Sequence, residues 1–173
     1  MLLITKEDIK KYRPIADIDY PRLDIYIEEA QQFDLKPMLG DALYYDFINN
    51  YTDTDYAKYA DYQKLLNGVN YTYSGNTIQF AGVKPLVVYY MLSRFVVQNP
   101  VHFTRFGVVQ KTQPNSTPIS TEQIRLQASE LKGIGANYQA ELRKYLIQEG
   151  SNYPLYDNNN KQAERTGFNF FSV

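Results

Sequence analysis

The chain has 173 residues, 18 Lys and Arg against 19 Asp and Glu, no cysteine and one histidine. That length suits one domain with a sizeable core, in the range where about two-thirds of the chain's surface is buried on folding. Without cysteine there are no disulfides or thiolate metal sites, and His102 alone cannot assemble a histidine-based metal or nucleophile constellation within one copy.

The near-neutral total hides an uneven distribution. Residues 1–62 hold 7 Lys and Arg against 13 Asp and Glu, whereas residues 84–144 hold 8 against 3. If the halves occupy different faces, the molecule has an acidic front and a basic back, which favours head-to-tail contact between copies. If they interleave, the charges cancel. Tyrosine is abundant, with 17 Tyr and 9 Phe against no Trp, and it offers wide amphipathic contact area at interfaces as well as in cores.

The start, MLLITKED, has too few apolar residues before its charges for a secretory signal. A cytoplasmic protein is therefore expected. Thr5 is a candidate N-cap for a short helix, with Ile4 and Ile9 forming a hydrophobic staple, and Arg13-Pro14 ends it. A second helix begins between Asp19 and Pro21 and presents Leu23, Ile27 and Ala30 on one face, flanked by Tyr26 and Phe33. Leu35-Lys36-Pro37-Met38-Leu39-Gly40 reads as a proline-broken link. A third helix spans Asp41 to Asn50. A fourth starts at Thr54 or Asp55 and stops at the Asn67-Gly68 C-cap pair.

Between Val69 and Phe80 the period changes from helix to strand. Gly75-Asn76 at the tip of a two-residue turn would place Tyr73 opposite Ile78 and Tyr71 opposite Phe80, with all four on one face. Then comes the stretch around which the chain is organised. Leu86 to Val97 reads LVVYYMLSRFVV, with only Ser93 and Arg94 polar. A membrane span needs about 20 apolar residues, so this is a core helix, and no membrane is expected. Lys84, Arg94 and Gln98 share one narrow stripe of an otherwise apolar circumference.

Val101 to Lys111, VHFTRFGVVQK, is extended and carries Phe103, Arg105, Phe106 and Lys111. These are either partner anchors or a strand pair packed over the central helix. The last helix is clearly signalled by a Ser120-x-x-Gln123 capping box with an Ile119–Ile124 staple. It continues through Leu131, Leu142 and Tyr145, and Gly133 and Gly135 suggest a kink or a close approach to a neighbour. Beyond Gly150 an extended tail ends in Phe168, Asn169, Phe170 and Phe171. Such aromatics are costly in water unless a partner receives them or the tail folds back.

The expected fold is mainly α. It is a helical bundle around a central apolar helix (about 82–99), with a small β-hairpin (about 69–80) and a long C-terminal helix (about 120–149). Residues 1–150 form one domain and 151–173 the tail. No motif supplies catalysis, a cofactor or a metal. Asp53, Asp55 and Asp61 lack the glycine and terminal glutamate of a calcium loop, and helix capping accounts for Asp53 and Asp55. Asp17 and Asp19 could pair as acid and base, though nothing else converges on them. The basic residues could meet nucleic acid, but the whole chain shows no basic excess.

The order of parts resembles the head–tail connector, or neck adaptor, proteins of tailed bacteriophages, most closely those of Bacteroides and crAss-like phages. The resemblance is carried by the early amphipathic helix leading through Glu29-Ala30 to Leu35–Gly40 and by the hairpin before the Val-Tyr-Tyr helix. To these are added Thr104 to Lys111 with Ser116 beyond, and the long terminal helix. It spans roughly residues 1–150, and the Phe-rich tail has no counterpart. It implies a non-enzymatic virion subunit, made in the host cytoplasm, in a dodecameric ring between portal and tail with DNA in the channel. Portal and other neck or tail proteins are the implied neighbours. The residues expected to meet partners are Tyr71, Tyr73, Phe103, Arg105, Phe106, Lys111, Phe168, Phe170 and Phe171. The alternative is a small soluble enzyme or regulatory binding protein with a carboxylate-based site.

Overall fold

The computed structural model describes residues 1–14, 20–98, 101–104, 107–110 and 120–156. The first helix, α1 (Lys6–Tyr12), opens with a full capping box. The Thr5 hydroxyl accepts from the Asp8 backbone N–H while the Asp8 carboxylate accepts from the Thr5 N–H. The helix α2 (Tyr20–Ala30) buries Leu23, Tyr26, Ile27 and Ala30. It does not stop at the expected link. A π-helical turn, Gln31–Leu35, carries the chain directly into α3 (Lys36–Leu39). Proline in a regular α-helix clashes with the carbonyl four residues back, and a π turn shifts and widens the bonding just ahead of it. Pro37 then falls in the first turn of α3, where its missing N–H costs little. Gly40, at φ 78°, makes the break instead.

The next helix, α4 (Asp41–Asn50), has the expected bounds and buries Leu43, Tyr44 and Phe47. The fourth, α5 (Tyr59–Asn67), begins later than Thr54 or Asp55. Asp53 is no helix cap. Its Oδ1 accepts from the Asp55 N–H at 3.0 Å, closing a local turn, and the N-cap position of α5 is Lys58, which makes no side-chain cap bond. Asp and Asn favour both roles, so composition alone does not separate them.

Strands β1 (Val69–Tyr73) and β2 (Asn76–Phe80) form the antiparallel hairpin. Its turn is Ser74-Gly75, not Gly75-Asn76, so Tyr71 lies opposite Ile78 and Tyr73 opposite Asn76. Both turn residues have positive φ, 50° and 79°, the signature of a type I′ turn, which follows strand twist. The slip is an even number of residues, so the facing survives. Tyr71 and Phe80 are buried, Tyr73 and Ile78 half-buried, and the intervening positions exposed.

The central helix, α6 (Val83–Gln98), is buried at Val83 and from Pro85 to Leu92. It is sheathed by α1, α2, α5 and, along most of its length, by α7 (Thr121–Gln148). The Ser120–Gln123 capping box of α7 is present. The helix runs unbroken through Gly133 and Gly135, so these glycines make no kink that interrupts it. Gly135 is instead a close approach, because an added Cβ would lie 3.1 Å from the Tyr90 ring. Between α6 and α7, β3 (Val101–Thr104) and β4 (Gly107–Gln110) form a second antiparallel pair, as the strand-pair reading of that stretch expects. No helix among the described residues is long and apolar enough to cross a membrane.

The chain does not become an extended tail at residue 151. A 3₁₀ turn, Gly150–Asn152, turns it back and buries Tyr153 against Tyr145. Tyr145 is an aromatic hub. Phe80 stacks on it at 4.3 Å, and Tyr71 and Tyr153 meet it edge-on at 5.2 and 5.8 Å.

Candidate interaction surface

Two ion pairs decide how the charged halves of the chain sit. Lys84 reaches Asp8 at 3.3 Å, and Arg94 reaches Asp34 at 2.6 Å. Each joins a basic residue of α6 to an acidic residue of the amino-terminal half, so at these sites the halves interleave and cancel. Burial alone would raise the Asp8 carboxyl, but the Thr5 N–H, Lys11 and Lys84 outweigh it and hold the group below its ordinary range. At Asp34 burial wins. It pushes the carboxyl up, and the Arg94 guanidinium pulls it only part of the way back.

The other carboxylates with inward partners hold the fold together. Asp46 accepts from Tyr56 Oη at 2.8 Å, from Tyr62 Oη in a shorter contact and from Asn50 Nδ2 at 3.0 Å, tying the loop after α4 to α5. Burial and the Asp46 carboxylate push the Tyr62 hydroxyl well up, so it stays protonated and donates. The backbone carbonyl of Asp61 accepts from Tyr153 Oη at 2.7 Å. Among the described residues no group of three acidic or imidazole side chains could hold a metal ion. Asp17 and Asp19 lie outside the described residues.

The residues expected to meet partners divide sharply. Tyr71 belongs to the chain's own core, 8% exposed, and is not presented to a neighbour. Its period-2 partner Tyr73 lies nearer the hairpin tip and is half-buried. Phe103 lies on β3 opposite Val108. Arg105, Phe106, Lys111, Phe168, Phe170 and Phe171 fall outside the described residues.

Tyr73 forms one wall of a groove of about 520 Å³ whose other wall is α7, from Ala136 and Ala140 to Arg143, Lys144 and Ile147. The Lys144 ammonium sits 5.2 Å from the centre of the Tyr73 ring. Ile147 is 45% exposed. A second groove, of about 360 Å³, lies between α6 and α7, where Asp34, Arg94, Ser129 and Lys132 share the lining with Tyr90, Val97 and Ala128. Sequence periodicity puts Leu131, Leu142 and Tyr145 on the packed face of α7, where they are buried, and leaves Ile147 off it. An apolar residue two places beyond the core position Tyr145 was the available signal.

No curated protein and no solved structure matches the chain. A family described as a family of unknown function, DUF6712, matches residues 35–166, from the π turn into the carboxy-terminal segment. That span is more than half of the 173 residues, and the chain belongs to this family.

Proposed function

We propose that this chain is a structural virion protein, one subunit of a homo-oligomeric ring that joins the phage portal to the tail around the DNA channel. The observation that carries the reading is the order of parts. An amphipathic helix runs into the Leu35–Gly40 segment, a hairpin precedes the buried α6, and a strand pair precedes the 28-residue α7. These are the features on which the resemblance to head–tail connectors rests. Support also comes from the carboxylates. Asp8, Asp34 and Asp46 are engaged in ion pairs or hydrogen bonds that join elements of the fold, which leaves the non-enzymatic reading the simpler one.

In this reading Tyr73, Phe103, Arg105, Phe106, Lys111 and the Phe168–Phe171 segment meet neighbouring copies, the portal or other neck proteins. DNA is a non-specific neighbour in the channel. The test is mass spectrometry of purified virions, with the ring counted by native mass measurement of neck complexes. Presence at a ring copy number supports the proposal. Absence from virions, together with a turnover abolished by Asp19→Asn, would overturn it in favour of a carboxylate enzyme.

A further inference from the structure

The groove between the hairpin and α7 has a mostly apolar lining with cations at its edge. Ala136 and Ala140 have short side chains, so the backbone of α7 is approachable there, and Tyr73 and Ile147 supply apolar walls. Arg143 and Lys144 add cations at the edge. The Lys144 ammonium already sits over the Tyr73 ring at 5.2 Å, and a cation so placed attracts the face of a further ring. The groove between α6 and α7 is a poorer receptor for apolar rings. Its lining has a larger polar share, with Asp34, Ser93, Arg94, Gln98, Ser129 and Lys132, and its Arg94 is committed to Asp34 at 2.6 Å.

The chain itself contains a segment of the matching chemistry. Phe168, Phe170 and Phe171 fall within four residues and carry no charge. The last described residues leave from beside this end of α7, since the Tyr153 ring lies 5.8 Å from Tyr145. Residues 157–167 then form a tether able to span up to about 36 Å. From Ala136 to Ile147 the groove is only about 16 Å long along the helix.

We propose that this groove is the docking site of the Phe168–Phe171 segment. The proposal rests on reading that segment as a docking element, and not on the ring itself.

Because the chain has no cysteine, the contact can be tested in the full-length protein with introduced pairs. Ala140 and Glu141 are both exposed on α7; they are neighbours along the helix but about 100° apart around it, so an undocked tether reaches both alike while only Ala140 lines the groove. Asn169 lies between the phenylalanines, so replacing it keeps all three rings. Under mild oxidation, Ala140→Cys with Asn169→Cys is expected to form a disulfide at least tenfold faster than Glu141→Cys with Asn169→Cys. A product of monomer size assigns the segment to its own groove, and one of dimer size to a neighbour's; both support the site. Equal rates, or no disulfide in either pair, overturn it. A chain found in virions with no preference for position 140 would sink this inference and leave the ring reading standing.

Discussion

Gly135 lies against the ring of Tyr90, where an added Cβ would come within 3.1 Å of Cε2 and within 3.3 Å of Cζ. The ring has little room to yield, because its hydroxyl donates to Gln139 Oε1 at 2.9 Å on the same helix. Gly133, two residues earlier, meets nothing within 4 Å. The two glycines thus have different reasons to be there, and alanine separates them. Gly133→Ala is expected to stabilise the fold by about 0.5–1 kcal/mol, the usual gain over glycine in an exposed helix interior. Gly135→Ala makes the same helical gain but overpacks the α6–α7 seam, which costs about 1–3 kcal/mol. Chemical denaturation of both variants checks the sign. An equal gain in both would show that Tyr90 moves freely.

The Asp8 and Asp34 ion pairs predict opposite responses to acid. The folded pKa of Asp8 lies below its unfolded value of 3.8. Its stabilisation is therefore complete above that value and is lost as pH falls through the lowered folded pKa. Asp34 is raised, so protonation favours the folded state there and the fold loses nothing as its carboxyl is neutralised. Asp8→Asn should cost about 1.5–3 kcal/mol near neutral pH, the range for hydrogen bonds to charged groups. That cost should shrink as pH falls through the lowered folded pKa of Asp8. Asp34→Asn should show no such convergence. Thermal melts across the acid range would decide it, and parallel curves for wild type and Asp8→Asn would refute the assignment.

At the hairpin, Gly75 has φ 79° with open space around it. The cost of a side chain there is purely conformational. Gly75→Val should destabilise by about 1–2 kcal/mol or more, because a β-branched residue resists positive φ. Ser74, at φ 50°, should gain from Ser74→Asn, since Asn-Gly suits both positions of a type I′ turn. If Gly75→Val melts like wild type, the Ser74-Gly75 turn is wrong.

These cases also show what could be read from residues alone. Local rules were legible: Thr5 and Ser120 as caps, Asn67-Gly68 as a stop, and α6 as the core. The hairpin facing was legible as well. A two-residue slip preserves a period-2 pattern, so Tyr71, Tyr73, Ile78 and Phe80 keep their face although Tyr71, not Tyr73, lies opposite Ile78. What failed were choices between two uses of one residue type. Pro37 ends helices but also suits a first helical turn behind a π turn, and Asp53 suits a cap or a loop turn. The Lys84–Asp8 and Arg94–Asp34 pairs link residues 76 and 60 positions apart, a separation on which no periodicity bears. The strand period does not separate Tyr73 from Tyr71, and the groove needs α7 laid beside the hairpin, which only the tertiary fold supplies.

Tyr153 sets the last prediction, because it moves the boundary at which the domain ends. Its ring is 1% exposed, and its hydroxyl donates to the Asp61 carbonyl at 2.7 Å and lies 3.0 Å from the Tyr145 hydroxyl. Burial, then the neighbouring Tyr145, pushes that hydroxyl well above the ordinary tyrosine range, so it remains a donor at any physiological pH. Removing residues 151–173 therefore removes a core side chain along with the Phe-rich segment. Loss of a large buried aromatic costs about 3–5 kcal/mol, which lowers Tm by about 10 °C in a domain of this size. Ending the chain after Tyr156 keeps the ring and should cost less than a third as much. The two truncations, melted side by side, separate the core from whatever the segment beyond docks against. An equal fall in both would show that the anchoring residue lies beyond Tyr156, and Tyr153 would then be a passenger in the aromatic hub.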